Sequence, residues 1–257
     1  MTPFPFQEEV WQAMADGKSG ILNAPTGSGK TYALWLGALA KLWPSIESKQ
    51  PAGGVKVLWI TPLRSLSKDT QKALQTAADG LNTGWTVELR NGDSSSGDKN
   101  RQKKKKPDCL IITPESIHIL MAQKDNAQWF AGVEVVVVDE WHDLIGSKRG
   151  VQTELALSRI RSLGVEKGKP EPVIWGISAT IPNLSLACQV LLGNRYQPDG
   201  NQTCIVRSEI KKQLSIKTLF PASIERFPWG GRMGLPMLPE ILEVVYASNS
   251  TLIFTNT

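Results

Sequence analysis

Gly20-Ile21-Leu22-Asn23-Ala24-Pro25-Thr26-Gly27-Ser28-Gly29-Lys30-Thr31 is a short apolar run that turns through two glycines into Lys-Thr and an amphipathic stretch, Tyr32–Trp43. From Ala24 onward it follows the eight-residue phosphate-binding loop pattern, with Ala24 where the general form has glycine. The spacing has a chemical reason. Gly27 and Gly29 can take positive φ without a Cβ clash, so successive backbone N–H groups can curl inward. Together with the free N–H groups of the following helix they offer a concave donor set for phosphate oxygens. Lys30 is then placed to bridge the β- and γ-phosphates, and the Thr31 hydroxyl to ligate Mg²⁺. A structural glycine-rich turn is the alternative for Ala24, Pro25, Thr26, Gly27, Ser28, Gly29, Lys30 and Thr31.

Outward from this loop, short apolar runs alternate with amphipathic stretches, the pattern of βα units around a parallel sheet. Strands are expected at Gly20–Asn23, Lys56–Thr61, Thr86–Leu89, Cys109–Thr113, Val133–Asp139 and Val173–Ser178. Helices are expected at Tyr32–Trp43, Arg64–Asp79, Pro114–Ala122, Val151–Leu163 and Leu184–Leu192. The run Val-Glu-Val-Val-Val-Val-Asp-Glu is apolar and β-branched on both faces, as a central parallel strand is. The fold class is therefore α/β: a mainly parallel, doubly wound, right-handed sheet with its ligand at the carboxyl ends of the strands. Ser45–Gly54 and Asn91–Pro107 read as mobile connections. After about Thr203 the pattern changes. An alternating strand near Leu214–Leu219 is followed by Phe-Pro-Trp-Gly-Gly-Arg-Met-Gly-Leu-Pro, a helix near Leu238–Tyr246 and the apolar run Thr251–Thr255.

The 257 residues suit one large domain, or one and part of another, and the hydrophobic share of 41% supplies a core. The net charge of +5 is a local property. Asp98–Lys106 holds six of the 29 cations and one of the 24 anions, so the remaining chain balances at 23 of each. That run reads as a solvated flap, or as a salt-sensitive phosphate contact. Three scattered cysteines exclude a disulfide framework or zinc site, and Cys109 and Cys188 read as buried thiols. No apolar run approaches the roughly 18 residues of a membrane span. The N-terminus lacks the basic and apolar regions of a secretory signal, which makes the cytoplasm the default location.

Asp139 and Glu140 close the most apolar strand, which is read as lying beside the strand of the phosphate loop. In that position Asp139 would hold the metal, and Glu140 would orient and deprotonate an attacking water. An Asp-Glu pair is also common at helix starts, where the dipole favours it.

Ala-Pro-Thr-Gly-Ser-Gly-Lys-Thr, then Asp139-Glu140-Trp141-His142, then Ser178-Ala179-Thr180 resemble, in order, the ordered motifs of superfamily-2 DExH-box helicases. Thr61-Pro62-Leu63-Arg64 with Ser-Leu-Ser-Lys-Asp is similar to motif Ia, and Thr113-Pro114-Glu115-Ser116 to motif Ib. Gln7, 17 residues before Ala24, has the spacing of the Q motif. Arg-Asn-Gly-Asp at 90–93, the stretch from Asp139 to Gly150 and the terminal Leu-Ile-Phe-Thr-Asn-Thr resemble the Lhr group, most closely its bacterial branch associated with DNA ligase. The resemblance implies a RecA-like P-loop domain, ATP and Mg²⁺ as cofactors, and 3′-to-5′ translocation on single-stranded or tailed duplex DNA in repair. A repair ligase or nuclease is the implied partner. By the same resemblance Gln7 contacts adenine, unless it is an ordinary helix-start residue, and Phe4 and Phe6 stack on the base or pack on the sheet edge. His142, Ser178 and Thr180 couple the nucleotide and nucleic-acid sites, with a hydrogen-bonded core histidine as the alternative. Pro62, Arg64, Thr113, Pro114, Glu115, Ser116, Lys148 and Arg149 are the implied nucleic-acid contacts, although Thr113 and Ser116 are also good capping chemistry.

The resemblance further implies that residues 1–205 are the first RecA-like domain and that 206–257 open a second, breaking off inside motif IV before the arginine finger. Such a piece is expected to bind nucleotide but to hydrolyse it poorly and not to unwind DNA. Two other functions fit the same motifs: an RNA-remodelling ATPase, since backbone contacts barely distinguish sugars, and a nucleotide-dependent interaction module without unwinding. Glu140 argues against the latter, because binding alone needs no catalytic base.

Overall fold

The computed structural model describes residues 2–48, 54–198, 201–210, 215–220 and 237–254. In chain order the elements are α1 (Pro5–Ala15), β1 (Ser19–Asn23), α2 (Lys30–Glu47), β2 (Val57–Ile60), α3 (Arg64–Gly80), β3 (Val87–Arg90), α4 (Ser96–Lys104) and β4 (Cys109–Ile112). They continue with α5 (Pro114–Met121), α6 (Asn126–Phe130), β5 (Val135–Val138), α7 (Trp141–Leu144), α8 (Lys148–Glu166), β6 (Val173–Ser178), α9 (Leu184–Leu192), β7 (Thr203–Arg207) and α10 (Leu238–Tyr246). The strands form a seven-stranded sheet in the order β3-β4-β2-β5-β6-β1-β7, with every pairing parallel. The α/β, parallel-sheet reading of the sequence holds.

Side chains alternate across a strand, so the apolar run in β5 must serve two cores. Val135 and Val137 join Leu22, Trp59 and Trp175 beneath α1, α2 and α3. Val136 and Val138 join Ile21, Leu58 and Ile60 beneath α5 to α9. Each such side chain, fully buried, contributes on the order of 2 kcal/mol. Trp35, Trp59, Trp129, Trp141 and Trp175 are among the largest fully buried side chains. Trp35 donates to Leu74 O at 3.0 Å, Trp141 to Ala187 O at 3.0 Å and Trp175 to Lys18 O at 2.9 Å, which lets these rings be buried without an orphaned N–H. Cys109 and Cys188 are buried free thiols, and burial pushes the Cys188 thiol up to about 12.

The β3 edge would expose unpaired backbone groups. Glutamines cover it. Gln71 donates to Val87 O at 2.9 Å, and Gln75 accepts from Val87 N at 2.7 Å and donates to Trp85 O at 2.9 Å. Gln102 donates to Leu89 O at 3.0 Å.

Several expectations need correction. The basic stretch inside Asn91–Pro107 is helical as α4. Ser95 accepts from Asp98 N at 3.0 Å and donates to the Asp98 carboxylate at 2.7 Å, which caps the helix. The Ser95 hydroxyl, and the Arg101 guanidinium after it, hold that carboxyl below its usual range. An all-polar helix of this kind has no apolar period to betray it. The strand expected near Leu214–Leu219 is absent from the described Ser215–Phe220, and Thr251–Phe254 form no strand either. Leu214, residues 227–236 and Thr255 lie outside the described residues, as do residues 49–53 of the first connection. Helices α1, α6 and α7 and strand β7 were not anticipated as elements.

The chain divides into two compact units, Met1–Ile210 and Lys211–Thr257. The first includes β7, which pairs with β1. In the second, α10 begins with a proline in its first turn and buries none of its residues. Among the described residues, no helix is long and apolar enough to cross a membrane.

Candidate functional site

The loop after β1 has the backbone its glycines permit: φ is +80° at Gly27 and +85° at Gly29. Gly29 immediately precedes α2, so Lys30 opens that helix. Its side chain is buried, and Nζ lies 3.2 Å from Glu140 Oε1, joining residues 110 positions apart. The Ser28 hydroxyl is buried with no hydrogen-bond partner, a polar atom turned inward within the loop. Thr31, Asp139 and Glu140 line a cleft of about 420 Å³ between this loop and α3.

The acidic pair does not lie on the strand next to β1. Strand β6 intervenes, pairing with β1 on one side and β5 on the other. Asp139 is nearly buried: Trp59 Nε1 donates to its Oδ2 at 3.4 Å, and its Oδ1 accepts from Glu140 N at 3.0 Å. Glu140 has φ +45° and ψ +49°, a left-handed conformation that costs a non-glycine residue about 1 kcal/mol. The turn aims its carboxylate back at Lys30.

Burial first, and the neighbouring Glu140 charge second, push the Asp139 carboxyl up to about 6, against the Trp59 N–H and Lys30. The folded chain therefore holds a proton that the unfolded chain releases between about pH 4 and 6. Stability from this group falls as pH rises through that window and stays reduced above it. In metal-free buffer, Asp139→Asn should be more resistant to urea than the native chain at about pH 7, by on the order of 2 kcal/mol. The gap should close as pH falls towards about 4. A gap independent of pH would contradict this account.

Behind the pair runs a polar relay. His142 Nδ1 lies 3.4 Å from Glu140 Oε2 and 3.1 Å from Ser178 Oγ. That hydroxyl accepts from Thr180 N at 3.3 Å, while Ser178 O accepts from Ala24 N at 3.1 Å and from the Asn23 side chain at 3.2 Å. His142, Ser178 and Thr180 are thus brought together, and the end of β6 meets Ala24 at the start of the glycine-containing loop directly and the acidic pair through His142. Gln7 is also at the loop: its amide nitrogen donates to Gly29 O at 3.4 Å and its oxygen accepts from Phe4 N at 3.0 Å. Its amide thus already has partners on both sides. Phe6, in the first turn of α1, is buried in the core that α1 and α2 cover, whereas Phe4 is exposed and its ring stacks on that of Phe6 at 5.9 Å.

A second group lies at the ends of β2 and β4. Arg149 donates to Pro62 O at 2.7 Å and pairs with Glu115 at 2.6 Å. Burial alone would raise the Glu115 carboxyl, but its own backbone, Arg149 and Thr113 outweigh it and hold the group below its usual range. Arg149 is therefore a strut between the two loops. Thr113 and Ser116 are buried and pair their hydroxyls at 3.2 Å, which leaves the start of α5 to present its backbone. Pro114 is buried, Lys148 exposed, and Arg64 half-exposed against Asp93 at 3.5 Å.

The sequence reading missed the α3 wall of the cleft. Leu66, Asp69, Thr70 and Ala73 face it, and their spacing of three, four and seven residues is the helical signal that could have found them. Trp59, as the donor to Asp139, had no local signal.

Among the described residues, no cluster of three or more His, Cys, Asp or Glu could hold a metal with protein ligands alone. Mg²⁺ suits a site with one or two protein ligands completed by phosphate and water, and Thr31 with Asp139 could supply such a pair. The orphaned Ser28 hydroxyl and the left-handed glycines fit a phosphate chain.

The sequence model of the DEAD/DEAH box helicase family matches residues 4–187, and the chain belongs to that family. Its members use nucleotide. Within the family the chain is similar to the Lhr helicases. A protein from Mycolicibacterium smegmatis described as Lhr helicase/probable uracil glycosylase is 28% identical over 264 residues, which cover 99% of this chain and 17% of the relative. The ATP-dependent helicase Lhr-Core of Saccharolobus solfataricus is 32% identical over 243 residues, covering 92% of this chain and 27% of the relative. The solved structure of Mycobacterium smegmatis helicase Lhr bound to ssDNA and AMP-PNP matches with a TM-score of 0.78 and 28% identity, over 100% of this chain and 32% of that one. DEAD-box helicase Mss116, solved with ssRNA and UDP-BeF, has a TM-score of 0.66 at 18% identity and shares the RecA-like fold. The chain spans under a third of the length of these curated relatives.

Proposed function

We propose that this chain is the ATP-binding motor unit of an ATP-dependent DNA helicase or translocase. The observation that carries the reading is the meeting of Lys30 and Glu140 at 3.2 Å beside Asp139, below a loop with Gly27 and Gly29 in the left-handed region. In this reading Lys30 leaves Glu140 for the β- and γ-phosphates. Glu140 is then free to orient a water, and Gln7 exchanges its present bonds for the adenine edge. Thr31 and Asp139 would hold Mg²⁺, which when bound would neutralise phosphate charge. His142, Ser178 and Thr180 transmit occupancy of the cleft towards β6.

DNA is the proposed track, gripped through its backbone by Arg64, Lys148 and the N-terminus of α5. The similarity to an Lhr structure solved with single-stranded DNA supports this. Residues 211–257 are proposed to open a second RecA-like domain, and a repair ligase or nuclease is the partner that the ligase-associated resemblance suggests.

A fluorescent ATP analogue with Mg²⁺, titrated into the chain with and without a single-stranded DNA oligonucleotide, tests the proposal. Saturable binding displaced by ATP is expected. DNA should change nucleotide affinity by the same factor by which nucleotide changes DNA affinity. Absence of nucleotide binding rejects the reading, and preferential linkage to an RNA of the same sequence moves the track from DNA to RNA.

A further inference from the structure

The cations responsible for the net charge lie on α4 and just after it, outside the nucleotide cleft. Their geometry is held by the edge of the sheet. Gln102 is buried, accepts from Arg90 Nη1 at 3.2 Å and donates to Leu89 O at 3.0 Å. With this residue inward and Ser95 capping the helix, Lys103, Lys104 and Lys105 are all exposed. Arg101 is neutralised by Asp98 at 2.9 Å and Glu88 at 3.5 Å, and Lys106 lies over the Trp129 ring at 5.4 Å. Among the described residues the three exposed lysines have no ion-pair partner, unlike Arg101.

The loop leading into α4 also meets the Arg64 side of the domain. A Cβ on Gly92 would sit 3.1 Å from the Arg64 guanidinium, which pairs with Asp93. Beyond it a polar cleft of about 470 Å³ separates α3 from α4, with Lys68, one helical turn after Arg64, on one wall and Arg101 on the other. Glu88, Asp93 and Asp98 line the same cleft and pair with Arg101 and Arg64, so the unpaired positive charge is concentrated at the carboxyl end of α4.

We propose that Lys103, Lys104 and Lys105 form a second, sequence-independent contact for the DNA backbone, outside the helicase motifs. It rests on the DNA reading above. A flexible lysine run would lose backbone entropy on each contact; here Lys103 and Lys104 close a capped, docked helix and Lys105 follows it directly, so less is lost. Each phosphate so neutralised releases counterions and steepens the fall of log affinity with log salt, by about 0.7 for a single strand and 0.9 for a duplex.

The test is a salt titration of the intact chain on a fluorescent tailed-duplex DNA, which offers both kinds of strand. The combined change Lys103→Gln, Lys104→Gln and Lys105→Gln should make the slope shallower by about two, with unchanged circular dichroism and ATP-analogue binding. The corresponding Lys→Arg variant should retain the native slope. An unchanged slope in the glutamine variant, alongside weaker binding by Arg64→Ala, overturns the α4 contact and leaves the DNA reading intact. No DNA binding by the native chain overturns both, and a slope change confined to RNA of the same sequence overturns the assignment to DNA.

Discussion

Lys30→Ala should lower affinity for an ATP analogue by about two to three orders of magnitude, the range expected when one partner of a buried charge pair is truncated. The side chain does two things at once. It brings positive charge into the cleft proposed to accept phosphates, and it compensates Glu140 at 3.2 Å and also the neighbouring Asp139. Without it, an incoming phosphate chain would face two inward carboxylates with their nearest ammonium gone. The loop's N–H groups would remain, so binding should weaken rather than disappear. The fold should persist because the sheet does not depend on this contact. Fluorescence titration in Mg²⁺, with circular dichroism as a control for folding, measures the effect. Native affinity in the variant would remove Lys30 from the phosphate site.

The second large effect concerns stability. Gly20→Ala should lower the folding free energy by about 3 kcal/mol or more, at or beyond the top of the usual range for overpacking. A Cβ at this position would sit 2.0 Å from Cys204 O and 3.3 Å from the Trp175 ring. The first neighbour is backbone, which cannot rotate away. Gly20 pairs with Cys204 in β7 and with Trp175 in β6, so relief requires one of these strands to move away from β1. The edge strand β7 is the freer of the two. A melting temperature lower by about 10 °C is expected for a chain of this size. An unchanged melting temperature would show that β1 and β7 are not paired in this register.

Much of the site was readable because its chemistry is written in contiguous residues. The loop from Ala24 to Thr31 contains both the glycines that bend it and the Lys-Thr that follows, so its conformation depends on neighbours in sequence. The same holds for β5, whose apolar run announces burial on both faces, and for Leu184–Leu192, whose helical limits match the expectation. Helix α4 escaped because nothing in Ser96–Lys104 repeats with an apolar period. Its supports are a cap and one buried glutamine. Arg149, whose motif resembles a nucleic-acid contact, is also tied to Pro62 and Glu115, partners that its motif does not record.

The phosphate loop, the acidic pair and the parallel α/β class were thus determined by the sequence itself, since each follows from local backbone preference or from the two-residue alternation of a strand. Strand order was decided only by the tertiary structure. Placing β6 between β1 and β5 puts Ser178 against His142, and its carbonyl against Ala24 N and Asn23, 155 residues away in the chain. The glutamine cover of β3 and the Trp59 bond to Asp139 arise in the same way. In each case a polar group leaving water must find a partner wherever the packed strands and helices bring one, and periodicity along the chain carries no record of that choice.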